Sequence, residues 1–122
     1  GRMASGFGMR TDPVSGRSAR HDGIDFAIPE GNPVISVAGG VVTASERRGG
    51  YGNLVEVDHG NYITRYAHNK QNLVRAGQMV RKGQKIAIVG STGRSTGAHV
   101  HFEVIQDGKT VNPLPFVKAA ER

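Results

Sequence analysis

The 122-residue chain carries 16 basic and 10 acidic residues, a formal net charge of +6, and 37% hydrophobic residues. That length suits one domain with a modest core, and no apolar run approaches the roughly 20 residues of a membrane span. Cysteine is absent, which excludes disulfide staples and thiolate metal ligands.

Residues 1–10 are glycine-rich and hold no apolar signal segment, and the chain starts without an initiator methionine. We therefore expect residues 1–122 to be a single domain, a fragment of a longer protein. The surplus of positive charge allows an anionic partner, but a solvated basic surface is the better reading. Its basic residues are scattered, the longest clusters being the pairs Arg47-Arg48 and Arg81-Lys82, and aromatics are only 6%. No stacking platform for nucleic acid follows from that pattern.

Eighteen glycines and five prolines punctuate short apolar stretches. In chain order, RHDGIDFAIP (20–29) leads into an apolar strand, and 32–46 reads as two short strands around Gly39-Gly40. The segment 47–53, RRGGYGN, reads as a mobile loop forming a groove wall, with Tyr51 at its tip. A hairpin follows: 54–58, a turn at His59-Gly60-Asn61, and 62–68. A short helix is allowed over 69–74. A turn at Lys82-Gly83 precedes the apolar strand 86–89, and GSTGRSTGA (90–98) is a glycine-rich approach to the next strand. That loop lacks the Lys-Ser/Thr ending of a phosphate-binding loop. The strand AHVHFEV ends before a tight Asp107-Gly108 turn, and a second short helix is allowed after Pro115. Turn signals this regular predict an all-β fold of packed antiparallel sheets with little helix.

Side chains alternate across a strand, so His99, His101 and Glu103 share one face and Val100, Phe102 and Val104 the other. The apolar set faces the core, and the polar set faces solvent or a cleft. Two such histidines are by themselves a modest metal signal. His21 and Asp25 are four apart in an extended segment, which places them on one face as well. Without cysteine, imidazole nitrogen and carboxylate oxygen are the usual ligands of a catalytic zinc. Two histidines and one aspartate leave a fourth position open to water, as hydrolysis requires. Glu103 is a candidate partner for a ring N–H, or a plain surface residue. His59, in the turn DHGN, reads as structural or solvent-exposed.

The stretch RHDGIDFAIPEGNPV, followed far downstream by GSTGRSTGAHVHFEV, resembles the lysostaphin-like (LytM-type) zinc peptidases. The resemblance spans about residues 7–113. It implies that His21, Asp25 and His101 ligate one Zn²⁺ ion. It also implies that the remaining matched histidines, His68 of YAH and His99, form the catalytic pair. We take His99 as general base and His68 as oxyanion stabiliser, an order the sequence leaves open. One departure is Asn69, where family members often carry leucine, and its effect is expected on the groove wall. Tyr66 and Asn112 are minor candidates for substrate contacts. The implied activity is hydrolysis of peptide cross-links in bacterial peptidoglycan, and the SGFGMRTDPVSG opening resembles the Gram-negative D,D-endopeptidases. The implied place is the periplasm, cell envelope or exterior. Peptidoglycan peptide is the expected partner, with regulatory or inhibitory domains or proteins beside it, and no nucleic acid. The alternative is a non-catalytic module that binds peptidoglycan or activates a hydrolase; the retained ligand set argues against it. A third reading, a lipoyl- or biotinyl-type carrier suggested by GQMVRKGQKIAIVG, lacks the modified lysine context and has no use for the histidines.

Overall fold

Alternating apolar residues and frequent glycine turns fold into antiparallel strands in the computed structural model. It describes the backbone of residues 2–5, 8–11, 18–21, 23–93 and 97–120, with side chains for 23–93 and 97–118. The strands are β1 (Arg2–Ser5), β2 (Gly8–Thr11), β3 (Ser18–His21), β4 (Ile24–Ala27), β5 (Pro33–Ile35) and β6 (Gly40–Arg48). After a 3-10 turn (Gly49–Tyr51) come β7 (Gly52–Asp58), β8 (Ile63–Asn72), β9 (Met79–Val80), β10 (Lys85–Val89), β11 (Val100–Gln106) and β12 (Lys109–Val111). One helix, α1 (Leu114–Ala120), follows. No described helix is long and apolar enough to cross a membrane.

Ten strands form one sheet in the order β1-β4-β11-β8-β7-β6-β9, with β12 beside β11, and β10 bridging β5 and β8. β2 and β3 form a separate pair. The expected all-β fold is therefore present, built around one large sheet.

Several local expectations need correction. Residues 69–72 continue strand β8, because Asn69, Gln71 and Asn72 pair with β10. Of the two helices allowed, only the C-terminal one forms, and it begins at Leu114 with Pro115 in its first turn, where a missing N–H costs nothing. The 47–53 segment is largely regular: β6 runs through Arg48 and β7 starts at Gly52, leaving only a 3-10 turn between them. His21 and Asp25 do not share one extended strand, since β3 ends at His21 and β4 starts at Ile24 in a different sheet. The SGFGMRTDPVSG opening lies outside the described residues at 6–7 and 12–17, and the loop 90–98 does so at 94–96.

The core is a cluster of β-branched and aromatic side chains including Val42, Val55, Val57, Ile86, Val89, Phe102 and Val104. Phe116 and Val117 of α1 pack against it. Burying such side chains contributes about 1.5–3 kcal/mol each.

β8 changes partners along its length, and this positions the site. Residues 63–67 pair with β11, whereas 69–72 pair with β10. The switch falls at His68, whose φ of 66° lies in the left-handed region that non-glycine residues rarely adopt.

Candidate metal centre and active site

β11 lies between β4 and β8, with His101 directly opposite Asp25 on one side and Ala67 on the other. That register, joining residues 76 positions apart, brings Asp25 Oδ1 to 2.7 Å from His101 Nδ1. His99 Nε2 stands 3.6 Å from the same oxygen. Val100, Phe102 and Val104 are buried on the core face, as alternation requires.

Glu103 shares the polar face yet is only 3% exposed, so it is no surface residue. It lies opposite Arg65, which lies opposite Glu56, forming a charge ladder across three strands. Arg65 Nε donates to Glu56 Oε2 at 2.7 Å, and its Nη1 reaches Glu103 Oε1 at 3.5 Å. Tyr51 Oη donates to Glu103 Oε1 at 3.0 Å. Burial, with Glu103 beside it, raises the Tyr51 pKa, which keeps the phenol a donor. His101 Nε2–H donates to Glu103 Oε2 at 2.9 Å. Burial alone would raise the Glu103 pKa, but the bonds from His101 and Tyr51 outweigh it and hold the carboxyl below its usual value.

The chemistry of this donor set fits a cation. His101 stands between two carboxylates, and with Nε2–H committed to Glu103, Nδ1 is the nitrogen facing Asp25. Two anionic acceptors flanking one ring call for a positive charge. A proton can supply it: burial opposes the charged ring, but Asp25 and Glu103 push its pKa up to about 9. A divalent metal at Nδ1 and Oδ1 meets the same need, with Glu103 orienting the ring from behind. Among the described residues no group of three such donors has the arrangement to hold a metal. The third expected ligand, His21, ends β3 opposite Gly8, and its side chain lies outside the described residues.

The other two histidines stand beside this pair. The His68 ring centre is 4.9 Å from that of His99 and 6.0 Å from that of His101. His68 Nδ1–H donates to Thr92 O at 2.7 Å, and His99 Nδ1–H donates to Gly97 O at 2.9 Å. A carbonyl only accepts, so both Nδ1 atoms carry protons, and in each neutral ring Nε2 is the acceptor. Burial, only partly offset by the Thr92 bond, pushes the His68 pKa down. With Nδ1–H given to Thr92 O, the His68 Nε2 accepts in the neutral ring and donates only once the ring takes up a second proton. Gly50, Tyr51, His68, His101 and Glu103 line a cleft of about 240 Å³.

Three other residues land elsewhere. Tyr66 is 2% exposed in the core, where its oxygen accepts the Val37 N–H at 3.1 Å; strand phase points it away from His101 and onto the lining of a separate apolar cavity. Asn112 is exposed just past β12, and its Oδ1 accepts the Leu114 N–H at 3.1 Å, closing the start of α1. Asn69 is fully buried beneath the cleft, not on its wall. His59 is structural: it bonds Gly39 O at 2.8 Å and Thr64 Oγ1 at 2.7 Å. The separate cavity, of about 290 Å³ and lined by Phe26, Val34, Tyr66, Phe102 and Val117 among others, is apolar and holds no His, Asp or Glu. Sequence reasoning missed Arg65 and Thr92. Only cross-strand register could have singled out Arg65, and no local pattern marks Thr92 among its Gly/Ser/Thr neighbours.

Residues 19–113 match the profile of peptidase family M23. The chain is 45% identical over 115 residues to the peptidoglycan DD-endopeptidase ShyA of Vibrio cholerae, covering 93% of this chain and 27% of that protein. It thus spans about a quarter of the length of the curated relatives it matches. A crystal structure of a zinc-containing peptidase from Vibrio cholerae superposes with a TM-score of 0.85 at 44% identity, covering 91% of this chain and 35% of that one. The catalytic domain of lysostaphin, an antimicrobial peptidase from Staphylococcus simulans, superposes with a TM-score of 0.86 at 29% identity, covering 96% of this chain and 92% of that domain.

Proposed function

This chain belongs to peptidase family M23, and from that premise we propose that it is a zinc-dependent endopeptidase that hydrolyses the D,D cross-links of bacterial peptidoglycan. The observation that carries the reading is an aspartate–histidine pair 2.7 Å apart with two further imidazoles beside it. The DD-endopeptidase activity of ShyA and the zinc of the Vibrio peptidase support it. The net charge of +6 suits a carboxylate-bearing wall, and the place of action is then the cell envelope, with the periplasm the natural compartment for a D,D-endopeptidase.

His21, Asp25 and His101 would hold one zinc ion, which supplies Lewis acidity and makes water acidic enough to attack near neutral pH. Asp25 brings the negative charge of that ligand set, and Glu103 keeps the His101 ring in the tautomer that presents Nδ1. His68 and His99 handle protons. With each Nδ1–H tied to a backbone carbonyl, each Nε2 accepts. The ring that takes the proton of the attacking water becomes the donor that returns it to the departing amine. We read the two as a relay rather than as one fixed base and one fixed oxyanion donor.

The test is digestion of cross-linked sacculi by the zinc-loaded protein, followed by mass spectrometry of the muropeptides. Dimers should fall as monomers rise. Zinc-loaded protein that leaves the dimers intact sinks the reading, and the non-catalytic alternative takes its place. His101→Ala should lose zinc and activity together. His99→Ala should keep zinc and lose activity by about 10²- to 10⁴-fold, the weight of a positioned acid–base group. Metal loss in the second variant and retention in the first would exchange their roles.

A further inference from the structure

His68 occupies a backbone conformation that opposes its own residue type. A φ of 66° in a non-glycine residue is strained and persists only where the surroundings over-determine it. Two neighbours do so. Beneath the corner, buried Asn69 donates from Nδ2 to Tyr66 O and to Asn72 Oδ1, each at 3.0 Å, bracketing the bend from both sides. Above it stands Thr92.

Thr92 makes four bonds that converge on this corner. Its carbonyl accepts His68 Nδ1–H at 2.7 Å, and its N–H donates to His68 O at 3.4 Å. Its hydroxyl donates to Asn69 O at 2.8 Å and accepts the Asn53 N–H at 3.0 Å. One residue therefore grips the His68 ring, the His68 carbonyl and the next carbonyl along β8, and ties all three to β7. The segments around Gly52 and Gly93 interlock so closely that neither glycine position admits a side chain. A Cβ on Gly52 would fall 2.4 Å from Thr92 Oγ1, and one on Gly93 would fall 2.4 Å from Gly52 N. Both glycines also have positive φ, 66° and 76°, which only glycine adopts at little cost.

We propose that Thr92 is a positioning residue for His68: its hydroxyl anchors the strained corner, so that its own carbonyl holds the ring with Nδ1 protonated and Nε2 as acceptor. The hydroxyl both donates and accepts here: it gives Asn69 O a second donor beside Asn53 Nδ2–H, which lies 2.9 Å away, and it accepts the Asn53 N–H. The consequence for catalysis rests on the proposed proton-handling role of His68; the effect on its tautomer does not.

The test compares Thr92→Val, which keeps the shape and removes the hydroxyl, with Thr92→Ser, which keeps the hydroxyl. The readouts are ¹⁵N shifts of the His68 ring, bound zinc, and kcat and KM on a cross-linked muropeptide. In Thr92→Val the His68 ring should lose its single Nδ1–H tautomer, and kcat should fall about 100-fold, the scale of an ångström of misplacement, with KM and zinc unchanged. Thr92→Ser should restore both the tautomer and kcat. An unchanged tautomer in the valine variant, equal damage in both variants, or a kcat loss that tracks zinc loss overturns the proposal. Should the valine variant not fold, the wild-type protein decides. The Asn53 amide must exchange slowly and His68 must show the Nδ1–H form; fast exchange or the other tautomer rejects the idea. If the wild-type protein cuts no muropeptide, the enzymatic reading falls while the tautomer measurement still judges Thr92.

Discussion

His101 is held by a carboxylate at each ring nitrogen, Asp25 at Nδ1 and Glu103 at Nε2. The two do different work. Asp25 is a prospective co-ligand, whereas Glu103 fixes which nitrogen faces it. Glu103 is fixed in turn by Tyr51 and Arg65. Glu103→Gln keeps the volume but weakens the acceptor for the ring N–H. We expect it to lower zinc affinity by about tenfold, the low end for loss of an orienting partner, as read by competition with a chromophoric chelator. Unaltered affinity would mean that backbone register alone orients the ring. The histidines were legible as residues of chemistry because imidazole inside an apolar alternation has no packing role. The burial of Glu103 was not legible, since its place in the alternation matches that of a wet-face residue and its cover comes from distant partners such as Tyr51, 52 positions away, and Arg65.

Strands β7 and β8 show how an element can be read correctly and still misplace its residues. Their hairpin turn was plain from DHGN, but the strand runs four residues beyond His68, and the catalytic candidate sits at a corner rather than at an end. The cause is the exchange of β11 for β10 as partner, which no local pattern encodes. At the other end of the hairpin, His59 joins the turn to the loop before β6 through Gly39 and to buried Thr64. Burial lowers its pKa from the ordinary 6.5, with the Gly39 bond opposing only in part. The folded ring therefore resists a proton that the unfolded ring accepts. Its contribution to stability is full above about pH 6.5 and is lost as pH falls from there through the folded value. Urea unfolding at pH 8 and pH 5 should show a larger acid loss for the wild-type protein than for His59→Gln. Equal losses would show that His59 carries no part of the acid sensitivity.

Taken whole, the molecule brings its proposed ligands from two distant segments, 21–25 and 101, so a metal bound to all three reads only the folded state. Ligand binding confined to that state stabilises by about 2.7 kcal/mol at a hundredfold excess over Kd. For a domain of this size that is a rise in Tm of roughly 10 °C. Scanning calorimetry with zinc, then with chelator, should show the rise and its reversal. A Tm indifferent to zinc would mean that the three residues do not act as one site.

Composition and alternation by themselves determined the class of fold, the apolar face of β11 and the chemistry on offer. Without cysteine, only nitrogen and oxygen donors remain, and glycine at every turn leaves little room for helix. Tertiary structure alone decided which donors meet. His101 faces Asp25 because β4 and β11 pair in one register, and a shift of a single residue would send Asp25 to the opposite face. It likewise decided that Tyr66 belongs to the core, that Asn69 lies beneath the cleft, and that Thr92 closes over His68. Those outcomes depend on contacts between segments far apart in the chain, whose energies appear only once the strands have paired.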